Sequence, residues 1–407
     1  MSSAATFATP GGTEIPAARR LTLLCLAALT VMSGATVAPS LLALAAHFAQ
    51  HPNSALLSRL VLSLPALTIA LCAPFAGVIS DRYGRRRPLL LAVGLYALAG
   101  TSALLQHSLE GILVSRILLG VAVAGTMTSV TALAGDYFTP AQRQVYMGQQ
   151  GAFISLGGVI CLILGGLLAE LHWRGPFAIY AVALLLVPAV LLHLPEPQRS
   201  HSDKSLRKAP LYNGFWLGFA ALLSAAMLNS LAFFLIPTQL PFLLRDIGIN
   251  SPSLTGIAIA TGNLMGALAS LMLFPRVCST FGKFGNFAFS FAAMAVGMSL
   301  ISIADSYSAI IIAMAVYGSG MGTLIPHIFS TGLQSATEHM RGRVSGALTA
   351  SIFIGQFLSP FWSQPWIDSF GITSAFSTIG LGLFLLSGVS ITVHCLKTKT
   401  STETILR

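Results

Sequence analysis

The densest run of charge in this 407-residue chain is Asp81-Arg82-Tyr83-Gly84-Arg85-Arg86-Arg87, one carboxylate among four arginines. A lone acid in that company pairs with an arginine or meets the positive N-terminus of a facing helix, which makes it a holding device rather than a general acid. The plainer alternative is that the arginines only set topology and Asp81 keeps the loop soluble. Gly84 can adopt the positive φ of a tight turn, and Gly77 lets a neighbouring helix come close. Two more groups lie inside apolar runs. Arg116 either faces the protein interior or snorkels to water. His327 titrates near working pH and can carry a proton, or it can pack and hydrogen-bond between helices.

Other chemistry is missing. Cys25, Cys72, Cys161 and Cys395 fall in apolar runs, Cys278 lies just past the end of one, and none has metal-ligand spacing to another, so neither a metal site nor a disulfide framework is expected. The acids Asp81, Glu110, Asp136, Glu170, Glu196, Asp203, Asp246, Asp305, Glu338 and Asp368 sit at the ends of apolar runs or between them, with Glu14 and Glu403 in the tails. A catalytic cluster of nucleophile, acid and base at one depth is not assembled, so no enzyme is expected.

The elements that must position these residues are membrane helices. Apolar residues make up 55% of the chain and Asp, Glu, Lys and Arg only 8%, against about 25% charged residues in soluble domains. A helix needs about 20 mostly apolar residues to cross the hydrocarbon while satisfying its own backbone. Such runs occur at 21–47, 56–80, 88–106, 111–135, 145–170, 176–194, 214–244, 253–275, 284–304, 307–333, 344–367 and 371–396. Twelve crossings are therefore expected. The 38 glycines fall largely within these runs, where small residues form helix contacts. The first run is too long for the apolar region of a signal peptide, so it is expected to remain in the mature protein.

The net charge of +10 follows from topology rather than from a nucleic-acid partner. With alternate loops assigned to opposite sides, eighteen of the 22 Lys and Arg fall on one side, while Arg59, Arg174 and Arg245 fall on the other and Arg116 within a span. The basic side is cytoplasmic by the positive-inside rule, and both termini lie there.

A shift of 198 residues brings Pro39 onto Pro237, Gly84 onto Gly282, Gly120 onto Gly318, Arg143 onto Arg341, Gly148 onto Gly346 and Gly157 onto Gly355. One register held across the chain indicates a duplicated unit of six spans, and an even number of crossings makes the copies parallel. The expected organisation is a tail over 1–20, a six-helix bundle over 21–195, a linker over 196–212, a second bundle over 213–396 and a tail over 397–407. Two such bundles leave a site at mid-membrane that rocking exposes to each side in turn.

The loop Gly77-Val78-Ile79-Ser80-Asp81-Arg82-Tyr83-Gly84-Arg85-Arg86 resembles the signature G-x-x-x-D-R-x-G-R-R of the major facilitator superfamily, in the place that family puts it. The resemblance covers nearly the whole chain and implies the major facilitator fold. It makes Asp81, with Arg82, Arg85 and Arg86, part of a cytoplasmic latch between the halves, with Asp136 as the acid that pairs with the loop arginine. The second copy keeps Gly282 and Lys283 but has Ser279 in place of the acid, so the latch is expected to be asymmetric. Arg116, in Ser115-Arg116-Ile117-Leu118-Leu119-Gly120, resembles the family's span-four arginine, although its repeat mate is Met314. Span five carries Gly157, Gly165 and Gly166 of the drug and proton antiporter pattern, with Cys161 and Leu162 replacing its Gly-Pro.

In the family, spans one, four, seven and ten face the central cavity. The path candidates on these and adjoining spans are Thr36, Arg116, Asn229, Gln239, Asn263, His327 and Gln356, with Gln149 and Gln150 near the cytoplasmic end of span five. A site for cationic drugs would want a carboxylate in the middle of a span, and none is placed there. The resulting expectation is a bacterial inner-membrane transporter, acting as a monomer, with the bilayer and a small-molecule substrate as partners. It would move a neutral or anionic amphiphile outward, driven by the proton gradient, with no bound cofactor. An alternative is a transporter for an anionic metabolite, such as a carboxylate metal chelator (siderophore) or organic acid. A non-transporting solute sensor is another.

Overall fold

The computed structural model describes residues 15–51, 53–197, 215–336 and 340–405, with no side-chain account of 396–405. Most of the expected linker, all but the last six residues of the N-terminal tail, and Glu338 therefore lie outside the described residues. No strand occurs among the described residues. The first group of helices comprises α1 (Ala17–Ala35) with α2 (Leu41–His47), α3 (Ser54–Tyr83), α4 (Arg86–Ser102), α5 (Leu109–Tyr137), α6 (Pro140–Leu171), and α7 (Val182–His193) entered through a 3-10 turn, Gly175–Ala181. There follow α8 (Phe215–Asp246), α9 (Pro252–Leu268), α10 (Phe274–Ile303), α11 (Tyr307–Ser335), α12 (Arg341–Phe370) and α13 (Ile372–Ile405).

Local chemistry sets the helix starts. Ser108 caps α5 by accepting from the Gly111 amide at 3.1 Å, and Ser306 caps α11 from Ala309 at 3.4 Å. The two caps are repeat mates. Ser251 caps α9 from Leu254 at 3.3 Å, and its mate Asn53 starts α3 from a left-handed conformation, φ 65°. Each cap satisfies an amide that the helix leaves unpaired.

Ten stretches of helix among the described residues are long and apolar enough to span a membrane. The expected count of twelve differs for two reasons. Helix α4 has only 17 residues, and α9 runs through a five-residue π segment (Ala269–Leu273) into α10, giving one 52-residue stretch. That stretch turns inside α10 at Gly282, φ 63°.

The packing repeats as the sequence does. Helix α1 lies on α6, α3 on α5, α4 on α5 and on α7; correspondingly α8 lies on α12, α9 on α11, α10 on α11 and on α13. Between these two groups the main contacts are α3 with α12 and α6 with α9. The outward faces remain apolar: Leu91 is 76% and Leu192 78% exposed. A surface of this kind is stable in lipid, not in water.

Candidate functional site

The acid-bearing loop is held by its own group of helices. Arg85 takes a hydrogen bond geometry to two carboxylates at once, Nη1 to Asp81 Oδ1 at 2.5 Å and Nε to Asp136 Oδ2 at 3.1 Å. Burial lowers the affinity of its guanidinium for the proton, but the hydrogen bonds to Asp81 and Asp136 outweigh this and raise its pKa above the ordinary arginine value. Glu196, at the end of the α7 segment, accepts from the Arg85 amide at 2.5 Å and the Arg86 amide at 2.9 Å. A carboxylate there neutralises the positive N-terminus of α4. Gly84, φ 92°, turns beneath it, and a Cβ at this glycine would overlap the Glu196 carboxylate. Arg86 donates to the Leu191 carbonyl, Tyr137 to the Pro195 carbonyl, and Arg19 to the His193 carbonyl at 3.1 Å. At the repeat position, Gly282 also turns with positive φ, and Ser279 donates to the Arg276 carbonyl of its own helix. None of the first loop's described bonds reaches α8–α13.

The opposite end is sealed between the groups. Arg59 of α3, 5% exposed, donates from Nε to Gln239 Oε1 of α8 at 3.0 Å, and Gln239 Nε2 donates to Ser363 Oγ of α12 at 3.2 Å. The guanidinium also lies 4.2 Å from the Phe242 ring centroid. A buried cation is retained where such partners replace its water. On the α6–α9 side, Ser251 donates to Glu170 at 2.6 Å. A Cβ on Gly166 would strike the Pro252 backbone, and one on Gly256 the Leu162 carbonyl. Gly157 and Gly165 instead admit Ala28 and the Thr36 carbonyl of the first group's own α1 segment.

Between these ends the path candidates are scattered. Arg116 is wholly buried, donating Nη2 to the Gly100 carbonyl at 3.0 Å and Nε to Ser115 at 3.2 Å, with its guanidinium 5.0 Å from the Phe177 ring and 5.1 Å from the Tyr180 ring. All these partners belong to the first group. The α4 carbonyls and two aromatic faces surround its charge, and Nη1 is buried without a hydrogen-bond partner. His327, 5% exposed, donates Nε2 to the Lys283 carbonyl at 2.8 Å and packs its ring 4.5 Å from that of Phe287. It braces the turn at Gly282 inside the second group. Thr36 is buried and spends its hydroxyl on the Met32 carbonyl at 2.7 Å. Asn229, 2% exposed on α8, leaves Oδ1 without a partner. Asn263 of α9 lies at Gly158 of α6, on the seam between the groups. Gln356 and Gln150 are half-buried, and Gln149 accepts from Arg20 at 2.5 Å.

Two residues with structural weight, Arg59 and Glu196, were not singled out from the sequence. Arg59 falls inside the apolar run 56–80, so an ionisable side chain within a span was the available signal, masked by counting it with the loop charges. Glu196 followed the sixth run directly and read as the first linker charge.

Residues 23–360 match the family profile described as Major Facilitator Superfamily. Multidrug resistance protein 1 of Bacillus subtilis (strain 168) is 28% identical over 309 residues, covering 72% of this chain and 76% of that protein. Quinolone resistance protein NorA of Staphylococcus aureus (strain MSSA476) is 23% identical, covering 78% and 82%. In fold, the chain resembles a bacterial homolog of the human lysosomal transporter Spinster in an inward-facing, unoccupied conformation (TM-score 0.72, 16% identity, 96% and 98% covered). It also resembles the human organic anion transporter MFSD10 (TM-score 0.68, 19% identity, 92% and 99% covered). With the signature loop, the repeated packing and a profile match over most of its length, the chain belongs to the Major Facilitator Superfamily.

Proposed function

We propose that the protein is a secondary active transporter that exports a neutral or anionic small organic amphiphile through a bacterial inner membrane, coupled to the proton gradient. The observation that carries the substrate class is the position of the acids. Among the described residues Asp81 and Asp136 pair with Arg85, Glu110 with His51, Glu170 with Ser251, Asp246 with Arg245 and Asp368 with Gln364, all at helix ends. Asp305 is exposed before α11. An organic cation held in a low-dielectric cavity would need a carboxylate that none of these supplies. The efflux reading is supported by the names of the resistance proteins that the chain resembles over most of its length.

In this reading the chain crosses twelve times, as two six-helix bundles over 21–195 and 213–396 joined by a cytoplasmic linker. Helix α4 is about 26 Å long and the 252–303 stretch about 78 Å, so the first crosses once and the second twice, turning at Gly282. The basic loops put the latch end and both termini in the cytoplasm. The conformation is then closed outside and inward-facing, with alternating access made by rocking the groups about the α3–α12 and α6–α9 contacts.

The test is reconstitution of the full chain in proteoliposomes with an imposed pH gradient, following solute and proton movement together for cationic, neutral and anionic amphiphiles. Proton-linked flux of the neutral or anionic set is expected. Strong competition by simple organic cations, with none by organic anions, would overturn the substrate class, and binding without net flux would favour a sensor.

A further inference from the structure

The two groups of helices share one register but are not equally filled. Between α8, α10, α11 and α13 lies a cavity of about 410 Å³, within the range of about 300–1,000 Å³ common for small-molecule sites. Its floor is Leu222, Phe287 and Phe291, each less than a tenth exposed. Its lining belongs wholly to the second group, apart from the seam between the groups.

Moving back 198 residues shows why the space exists. Ala221 stands where the first copy has Leu23, Ser224 where it has Leu26, Thr331 where it has Leu133, and Ser335 where it has Tyr137. In the first group Leu23, Leu26 and Leu133 are wholly buried, and Arg19 reaches the α7 carbonyl of His193 across the same region. Four small-for-large differences converge on one space, against two large-for-small ones on its floor, Phe287 for Leu89 and Phe291 for Val93. In a closed protein interior such a void forfeits packing contacts, and an apolar occupant would restore them.

The shape of the cavity selects its occupant. The α8 wall from Gly218 to Leu228 is about 15 Å long, an elongated slot, and its rim residues Gly218, Ala221 and Ser224 are exposed. Trp216 and Leu217, at the same end of α8, are 64% and 80% exposed, as is the α13 wall residue Val389 at 61%, so the opening lies on an apolar, membrane-facing surface. Lys283 lines the cavity beside the Gly282 turn. A cation beside an apolar slot at the membrane edge complements an anionic lipid headgroup. We infer that the cavity holds one acyl chain of an anionic membrane lipid, with the headgroup at Lys283. The assignment rests on the membrane reading of the fold and not on the identity of the cargo.

The experiment uses the full-length protein in vesicles carrying either phosphatidylglycerol or phosphatidylcholine with a diazirine in mid-chain, irradiated and mapped by peptide mass spectrometry. Phosphatidylglycerol is expected to label 218–228 or 283–291 about fivefold more than phosphatidylcholine, the preference one basic side chain near the surface confers. Combining Ala221→Leu with Ser224→Leu, the residues of the first copy, should abolish the labelling while leaving the melting temperature unchanged or raised. Lys283→Gln should bring the anionic probe down to the level of the zwitterionic one, and this arm decides the question if the filled variant fails to fold. Labelling indifferent to both changes overturns the assignment, as does displacement of the probe by a transported solute, which would make the cavity part of the transport path. Solute flux measured in the same vesicles separates the two conclusions: flux without site-specific labelling removes only the lipid site, and labelling without flux removes only the transport reading.

Discussion

Arg85 and Arg59 are both arginines at helix ends, but their surroundings give them different work. The Arg85 side chain is 23% exposed and its acids Asp81 and Asp136 are 70% and 36% exposed, so each pair contributes only about 0.2–1 kcal/mol. That is too little to hold a fold and enough to bias an equilibrium between conformations. Asp81→Asn or Arg85→Ala is therefore expected to lower transport several-fold while leaving membrane insertion and melting temperature within error, read by vesicle flux beside thermal scans. Full transport in both variants would remove the latch role. Arg59 is buried and bridges α3 to α8 and through Gln239 to α12. Losing a buried hydrogen bond to a charged group costs about 1.5–3 kcal/mol. Arg59→Ala should accordingly shift the population toward opening at the sealed end by about tenfold or more. Spin labels at Ser54 and Asp368 would report a longer distance. Arg59→Lys restores the charge but not the planar stack on Phe242, and should recover only part of the effect.

At the scale of elements, glycines set how closely helices approach. A Cβ on Gly318 would overlap the Gly262 carbonyl and one on Gly322 the Gly266 carbonyl, so α9 and α11 meet backbone to backbone. Gly318→Leu should lower the melting temperature strongly or prevent recovery of monodisperse protein, since overpacking costs about 1–3 kcal/mol even where neighbours yield. Gly388 on α13 meets nothing within 4 Å. Gly388→Ala is the matched control, expected to be neutral or stabilising by about 0.5–1 kcal/mol. The apolar runs made the helices legible, and the small-residue content made close packing legible. Which glycine meets which carbonyl was not, because that depends on the rotation of each helix. The same limit applies to Arg116: its presence within a span was plain, but its direction was set by Phe177 and Tyr180, about sixty residues away in sequence. The turn at Gly282 falls in the gap between the runs 253–275 and 284–304, whereas the π segment Ala269–Leu273 that continues α9 into α10 lies inside a run and leaves no break in hydropathy.

At the scale of the molecule, the repeat read from Gly84 and Gly282 reappears as equal positive-φ turns and as matched helix pairs, while the side chains around those turns diverge. One turn carries two carboxylates and Glu196; the other carries a histidine brace and a cavity wall. A duplicated scaffold with unlike ends moves asymmetrically, and the contacts across the seam identify which end must part. The described hydrogen bonds between groups, Arg59 with Gln239 and Ser251 with Glu170, lie at the sealed end. If rocking between the groups drives transport, tying that end must stop it. In a background with the five native cysteines replaced, Glu170→Cys with Ser251→Cys should be joined rapidly through disulfides by a short bis-methanethiosulfonate, because the native side chains stand 2.6 Å apart. Flux should fall to background on cross-linking and return on reduction. A linked protein that transports at the reduced rate would show that α6 and α9 need not separate at this end, and the path would then have to open elsewhere.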